Sequence, residues 1–305
     1  MPDDETPRQR AARRAAGQHG AISHAQLLDA GLTPRQVTGL LTGDRYVATG
    51  PRSIYRAAGS PPSWQQDLWV ALLAAPAGTV ASHRSVAALF DLLPPPDVPE
   101  ITVRRGVSGR FGGAALRRSS VPREDRCRVQ GFPATTPARM IVDCAAVLDQ
   151  NALNELVDSA IGRRLVTYRR IEAARERAGR RRGTARLCLA LAPYAGGAQP
   201  GSPAAARMLR RLHEWGLPAP VCEYKVRDVD GRLLGRLDFA WPEWLAGLEY
   251  DGEEFHGPRR WAPDDERQDR IEELGWRIER ADRGDLRPSS TRLRLLLERR
   301  LRRPA

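Results

Sequence analysis

The 305-residue sequence predicts an α/β multidomain protein, and three observations carry that expectation. Short capped helices followed by a Gly-Pro hairpin open the chain. Apolar-periodic helices then alternate with short strand-like runs through the middle. Beyond a Gly, Ala and Pro-rich stretch at 193–203, two alternating runs meet at Asp230-Gly231, a strong hairpin signal. At roughly 150 residues per domain the length allows two or three domains. The expected boundaries are 1–60 for a winged helix-turn-helix, 61–196 for a mixed α/β middle region and 197–305 for a C-terminal α/β sheet domain.

The first helix is expected over Arg8–Gln18, where alanines recur between arginines until Gly17–Gly20. Ser23 stands at an N-cap position before Ala25, Leu27 and Leu28, and Ala30-Gly31 ends that helix. Thr33 caps a third helix, Pro34 takes its first position, and Val37, Leu40 and Leu41 recur at helical spacing up to Gly43. Strand candidates at 45–47 and 53–56 flank Gly50-Pro51. Helix, helix, turn, helix, hairpin is the order of a winged helix-turn-helix, whose third helix enters the DNA major groove. Thr33, Arg35, Gln36 and Thr38 are then the solvent-side residues facing phosphates or base edges, with Arg45 and Arg52 on the wing.

In the middle region, Trp64–Leu93 is apolar-periodic and reads as helical, broken at Ala75-Pro76. His83 and Arg84 read first as plain helix-start surface or a cap and second as a contact to phosphate or a partner. Strands are expected at 101–103 and 127–129 around a basic, Gly-containing loop, Arg104–Arg118, and Thr136-Pro137 begins a further helix. Between Arg163 and Arg186 ten arginines face only Glu172 and Glu176. Arg180, Arg181 and Arg182, inside GRRRG, are the strongest phosphate-contact candidates of this region, with a solvated helix face and loop as the equal alternative.

In the C-terminal region strands are expected at 221–229, 232–240 and 245–251. Glu249 and Asp251 share one face of the third strand because side chains alternate with period two, and Asp238 lies near the end of its neighbour. Three carboxylates placed together repel and lose hydration unless a cation joins them. Asp238, Glu249 and Asp251 are therefore candidate ligands for Mg2+ or Mn2+, which would activate water against a phosphodiester. His256, five residues on, is the candidate general acid or base. Arg267, in the following helix, reads first as a solvated charge and second as a phosphate contact, and Trp276 as core.

Composition narrows the classes. Apolar residues at 41% and charged residues at 28% argue against a chain disordered throughout. The uncharged apolar run Leu68–Ser82 is broken by Pro76 and Gly78 and is too short to span a bilayer, so no membrane partner is expected. The first residues hold no apolar stretch of the signal-peptide kind, and a cytoplasmic location is expected. Four cysteines form no CxxC pair and no zinc spacing. Over residues 1–196, 28 arginines face 17 acids, whereas 21 cations face 20 acids in the remainder. A basic first part suits a polyanion, and double-stranded DNA is the expected partner.

Two stretches add resemblances. GAISHAQLLDAGLTPRQVTGLLTGDRYVATGPRSIYR resembles the N-terminal winged-helix domain of AbiEi antitoxins, which implies DNA binding, autorepression of a promoter and a cognate toxin. RLDFAWPEWLAGLEYDGEEFHG, followed by DDERQDRIEELGWRIER, resembles the domain of unknown function 559 family. That family is similar to the very-short-patch-repair endonucleases of the PD-(D/E)XK superfamily and implies a restriction-endonuclease-like fold. In that resemblance Asp238 takes the place of the motif's Asp and Glu249 that of its second acid. Asp251 stands where many superfamily members have Lys, in the subfamily's own form E-x-D-G-x-x-x-H. One departure stands out: Ala205 occupies the place, after Ser202-Pro203, where relatives carry a helix acid. The sequence thus supports a metal-dependent DNA endonuclease and, as its rival, a non-catalytic antitoxin-like regulator with a degenerate nuclease fold. An RNA-directed protein is a third class, since phosphate contacts do not distinguish the polymers.

Overall fold

A computed structural model describes residues 5–51, 53–250, 261–287 and 289–302. Its contacts divide the chain into two compact units, one of residues 1–147 with 174–182, the other of residues 148–173 with 183–305.

The first unit begins with helices α1 (Pro7–Ala16), α2 (His24–Asp29) and α3 (Pro34–Thr42) and strands β1 (Ala21–Ser23), β2 (Tyr46–Ala48) and β3 (Ile54–Ala57). Each helix starts with the same device. Thr6, Ser23 and Thr33 accept the backbone N–H three residues on, and Gln9, Gln26 and Gln36 return a bond to the cap residue. The three strands form an antiparallel sheet in the order β1-β3-β2. Ala11, Ala15, Ile22, Leu27, Leu32, Val37, Leu40 and Tyr46 close one small core. Strand β1 was not expected from the sequence, because three residues are too few to display alternation.

The same unit continues with α4 (Trp64–Ala74), β4 (Val80–Ala81), α5 (His83–Leu89), β5 (Glu100–Val103), β6 (Ala115–Arg118), β7 (Arg126–Val129), β8 (Phe132–Thr135) and α6 (Pro137–Cys144). The strands make a five-stranded mixed sheet in the order β6-β5-β4-β8-β7. The expected helical run 64–93 contains the central strand β4, whose two residues give no periodic signal. Gln66 Nε2 donates to the His19 carbonyl (2.8 Å) and to Ser60 Oγ (3.1 Å), tying α4 to the first sheet. Trp69 stacks on Phe132 with ring centroids 4.8 Å apart.

The second unit holds α7 (Gln150–Gly162), and the division between units falls within α8 (Tyr168–Ala178). Then come α9 (Thr184–Leu191), α10 (Pro203–Glu214), β9 (Val221–Arg227), β10 (Leu233–Trp241), β11 (Ala246–Tyr250), α11 (Trp261–Glu273), β12 (Arg277–Ala281) and α12 (Arg292–Arg300). The sheet order is β12-β11-β10-β9, antiparallel except for the β11–β12 pair, which α11 connects. Leu237, Ala240, Ile271 and Trp276 form part of its core.

The expected boundary near residue 196 differs from this division. Helix α7 packs with both α9 and α10, so residues 148–173 and 183–196 belong with the C-terminal sheet. Two local facts bind them. A Cβ on Gly162 would stand 2.5 Å from backbone atoms of Ser202 and Pro203, so only glycine allows that approach. The buried Arg210 guanidinium of α10 holds Asp158 of α7 (2.5–3.2 Å), and Tyr194 Oη donates to the same carboxylate at 2.7 Å.

Candidate functional site

The outer face of α3 is exposed along Thr33, Arg35, Gln36 and Thr38, while Val37 and Leu40 anchor the opposite face. The cap that starts the helix uses two of these residues. Thr33 Oγ1 accepts the Gln36 N–H at 3.3 Å and Gln36 Oε1 accepts the Thr33 N–H at 2.8 Å, which leaves the Gln36 Nε2 donor uncommitted. Thr38 Oγ1 donates to the Pro34 carbonyl at 3.1 Å. Arg35, and Arg45 just beyond the helix, are exposed, and neither guanidinium has a partner among the described residues. The result is a capped helix presenting positive charge that no acid among the described residues pairs. Arg52 lies outside the described residues.

The arginines of 180–182 divide. Arg180 and Arg182 are exposed, but Arg181 is drawn into a network around the fully buried Arg139. Arg139 donates through Nε to Asp143 (2.8 Å), through Nη1 to Asp125 (3.3 Å) and through Nη2 to Ser119 Oγ (3.0 Å). Asp143 also accepts from Arg181 Nη1 (2.8 Å), and Asp125 from Arg177 Nη2 (2.5 Å). Arg181 is therefore structural, a correction to its reading as a phosphate contact. The i,i+4 spacing of Arg139 and Asp143 was visible in the sequence, but their partners lie far along the chain.

His83 and Arg84 are corrected as well. His83 is buried, its Nδ1 lies 2.9 Å from Ser82 Oγ, and burial lowers its pKa below the ordinary value, which favours the neutral ring. Arg84 and Arg117 hold the fully buried carboxylate of Glu100 at 3.2 and 2.9 Å.

On the C-terminal sheet, Phe239 pairs with Leu248, so Asp238 falls directly opposite Glu249. The two acids expected to act together are thus brought together. Each has a different partner: Asp238 Oδ2 accepts the Tyr250 N–H at 2.9 Å, and Arg267 Nη2 reaches both Glu249 oxygens at 3.0 and 3.2 Å. Burial pushes the Glu249 carboxyl above its ordinary range, Arg267 opposes that shift and the nearby Asp238 adds to it. Arg267 is therefore not the solvated charge the sequence suggested. Gly235 makes its placement feasible, since a Cβ there would stand 2.9 Å from Ile271 Cδ1 and 3.2 Å from Arg267 Nη1.

Asp251 and His256 lie outside the described residues. Ala205 is buried in the first turn of α10, its N–H capped by Ser202 Oγ at 3.0 Å, and supplies no acid. Among the described residues no group of three or more His, Cys, Asp or Glu could hold a metal ion. Asp238 and Glu249 face each other across the strand pair, and the cation beside Glu249 is a guanidinium. Among the described residues no helix is long and apolar enough to cross a membrane.

One comparison with known proteins falls on the middle of the chain. Residues 70–191 match the family model described as the AbiEi antitoxin C-terminal domain. The match begins after the N-terminal segment on which the sequence resemblance rests, and it takes in the Glu100 and Arg139 clusters. Two curated relatives from Mycobacterium tuberculosis strains, uncharacterized protein MT2308 and uncharacterized protein Rv2248, are each 34% identical over 154 residues. The aligned part is 50% of this chain and 55% of each relative, so the chain spans about half the length of the curated relatives it matches.

Proposed function

We propose that the chain is a DNA-binding regulator of the AbiEi-antitoxin kind, with residues 7–57 as a winged helix whose α3 enters the major groove. The observation that carries this reading is the exposed face of α3, presenting unpaired Arg35 and Arg45 beside the uncommitted amide of Gln36. The element order α1-β1-α2-α3-β2-β3 supports it, as does the antitoxin match that follows at 70–191. The duplex bound would include the promoter of a toxin–antitoxin pair, and a cognate toxin is the protein partner such a role implies. Fluorescence anisotropy with a labelled duplex tests this. Arg35→Ala is expected to weaken binding by about 1–3 kcal/mol while leaving the melting temperature unchanged. Wild-type protein that leaves the duplex unbound would defeat the reading.

A second reading rests on the C-terminal sheet. The order α10-β9-β10-β11-α11-β12, with Asp238 opposite Glu249, suits the PD-(D/E)XK endonuclease-like fold and phosphodiester hydrolysis. Supercoiled plasmid incubated with Mg2+ or Mn2+ and wild type, Asp238→Ala or Glu249→Ala decides it. Nicking lost in both variants assigns an active centre to this sheet. Intact plasmid with all three proteins, alongside retained DNA binding, leaves the regulator.

A further inference from the structure

We propose that a cleft in the first unit seats the sugar-phosphate backbone of duplex DNA, extending the interface beyond α3 onto the five-stranded-sheet region. The proposal rests on the DNA-binding reading above and adds a site to it. The cleft encloses 560 Å3 between the β2–β3 hairpin, α4 and the loop joining β5 to β6. Thr49, Gly50 and Arg56 line it from the hairpin, Asp67 from α4, and Arg110 and Gly112 from the loop.

Its chemistry is that of a phosphate seat. Arg56 and Arg110 have no hydrogen-bonded or ion-paired partner among the described residues, against Asp67 as the one acid of the lining. Guanidinium groups fork onto phosphate oxygens, and unpaired ones lose no internal ion pair when they do so. Gly50 and Gly113 leave open space where side chains would stand, so a ligand backbone can approach the main chain there.

The walls are held in place before any ligand arrives. Gly112 has φ +57, and a Cβ there would come within 2.9 Å of the Ala71 backbone nitrogen and Cα, so the loop is pressed onto α4 backbone to backbone. Arg118 Nε donates to the Val107 carbonyl at 2.9 Å, stapling the loop's two sides. Gln66 fixes α4 to the first sheet through His19. A preformed cleft avoids the ordering cost that weakens binding by flexible loops. Among the described residues no aromatic side chain lines it, so the lining described offers nothing for a base to stack on. That favours the backbone of a duplex already engaged by the neighbouring hairpin over a free nucleotide, and it contributes register and affinity in place of sequence reading.

The test is the salt dependence of binding to a fluorescein-labelled mixed-sequence DNA duplex by the full chain. Each phosphate contact contributes about 0.9 to the slope of log K against log salt, so Arg56→Gln with Arg110→Gln should lower the slope by about two and the affinity at about 100 mM salt at least tenfold. Arg128→Ala, whose guanidinium is engaged by the Gly131 carbonyl (2.8 Å), should leave both unchanged. A double variant with wild-type slope, when Arg35→Ala still weakens binding, overturns the cleft and spares the DNA reading. Absence of duplex binding by the wild type overturns both. An RNA duplex of the same sequence that displaces the DNA probe preferentially, and loses that advantage in the double variant, would assign the cleft to RNA and overturn its assignment to DNA.

Discussion

The two arginine-rich stretches of the first unit have opposite fates. Around α3 and the β2–β3 hairpin, Arg35, Arg45 and Arg56 carry no acid partner among the described residues. At 177–182, Arg177 and Arg181 reach Asp125 and Asp143, which Arg139 already holds in the interior. A basic run becomes a binding surface or a scaffold according to which carboxylates the fold brings within reach. An arginine with its own buried acid has little left to offer a phosphate, and removing it leaves that acid uncompensated.

The largest effect should come from the centre of the scaffold. Arg139→Met deprives Asp125 and Asp143 of their shared buried cation and should cost about 3–5 kcal/mol of unfolding free energy in a urea titration. A change within 1 kcal/mol would show that Arg177 and Arg181 suffice and would break the comparison. Next come two neighbours. Arg181→Ala should destabilise by about 1–3 kcal/mol through the donors it withdraws from Asp143. Arg182→Ala, exposed, should stay within about 0.5 kcal/mol. If both variants instead weakened DNA binding equally, the segment would act as one basic patch.

The smallest effect is in pH dependence. Burial alone would raise the Glu100 carboxyl, but hydrogen bonds from Arg84 and Arg117 outweigh it and hold the group below its ordinary 4.5. Because its folded pKa is depressed, the stability it contributes is present above the unfolded value and is lost as pH falls through the folded one. Glu100→Gln should therefore flatten the stability profile below about pH 4.5, read as urea midpoints across the acid range. A profile that keeps its wild-type slope would assign the acid loss to other carboxylates.

The C-terminal sheet sharpens the same contrast. Asp238 and Glu249 face each other as the strand pattern required, yet the group that reaches Glu249 is Arg267, eighteen positions along the chain and delivered over Gly235. The sequence offered the two acids on neighbouring strands. It could not show a guanidinium beside Glu249, since that contact depends on how closely α11 settles on β10.

By itself the sequence determined what is local. Ser or Thr three residues before Gln fixed the helix starts at Thr6, Ser23 and Thr33, and Pro34 and Gly43 bounded α3. Asp230-Gly231 set the hairpin between β9 and β10, with the Asp228 carboxylate accepting the N–H groups of Asp230 and Arg232. These features depend on neighbours within a few residues. Tertiary structure decided the two-residue strand β4, the burial of His83, the capture of Arg181 by Asp143 and the joining of α7 and α9 to the C-terminal sheet through Gly162 and Asp158–Arg210. Each of these turns on groups far apart in the chain meeting in a dry interior. There the loss of hydration makes an opposite charge or a missing Cβ decisive, and no local pattern encodes which partner will arrive.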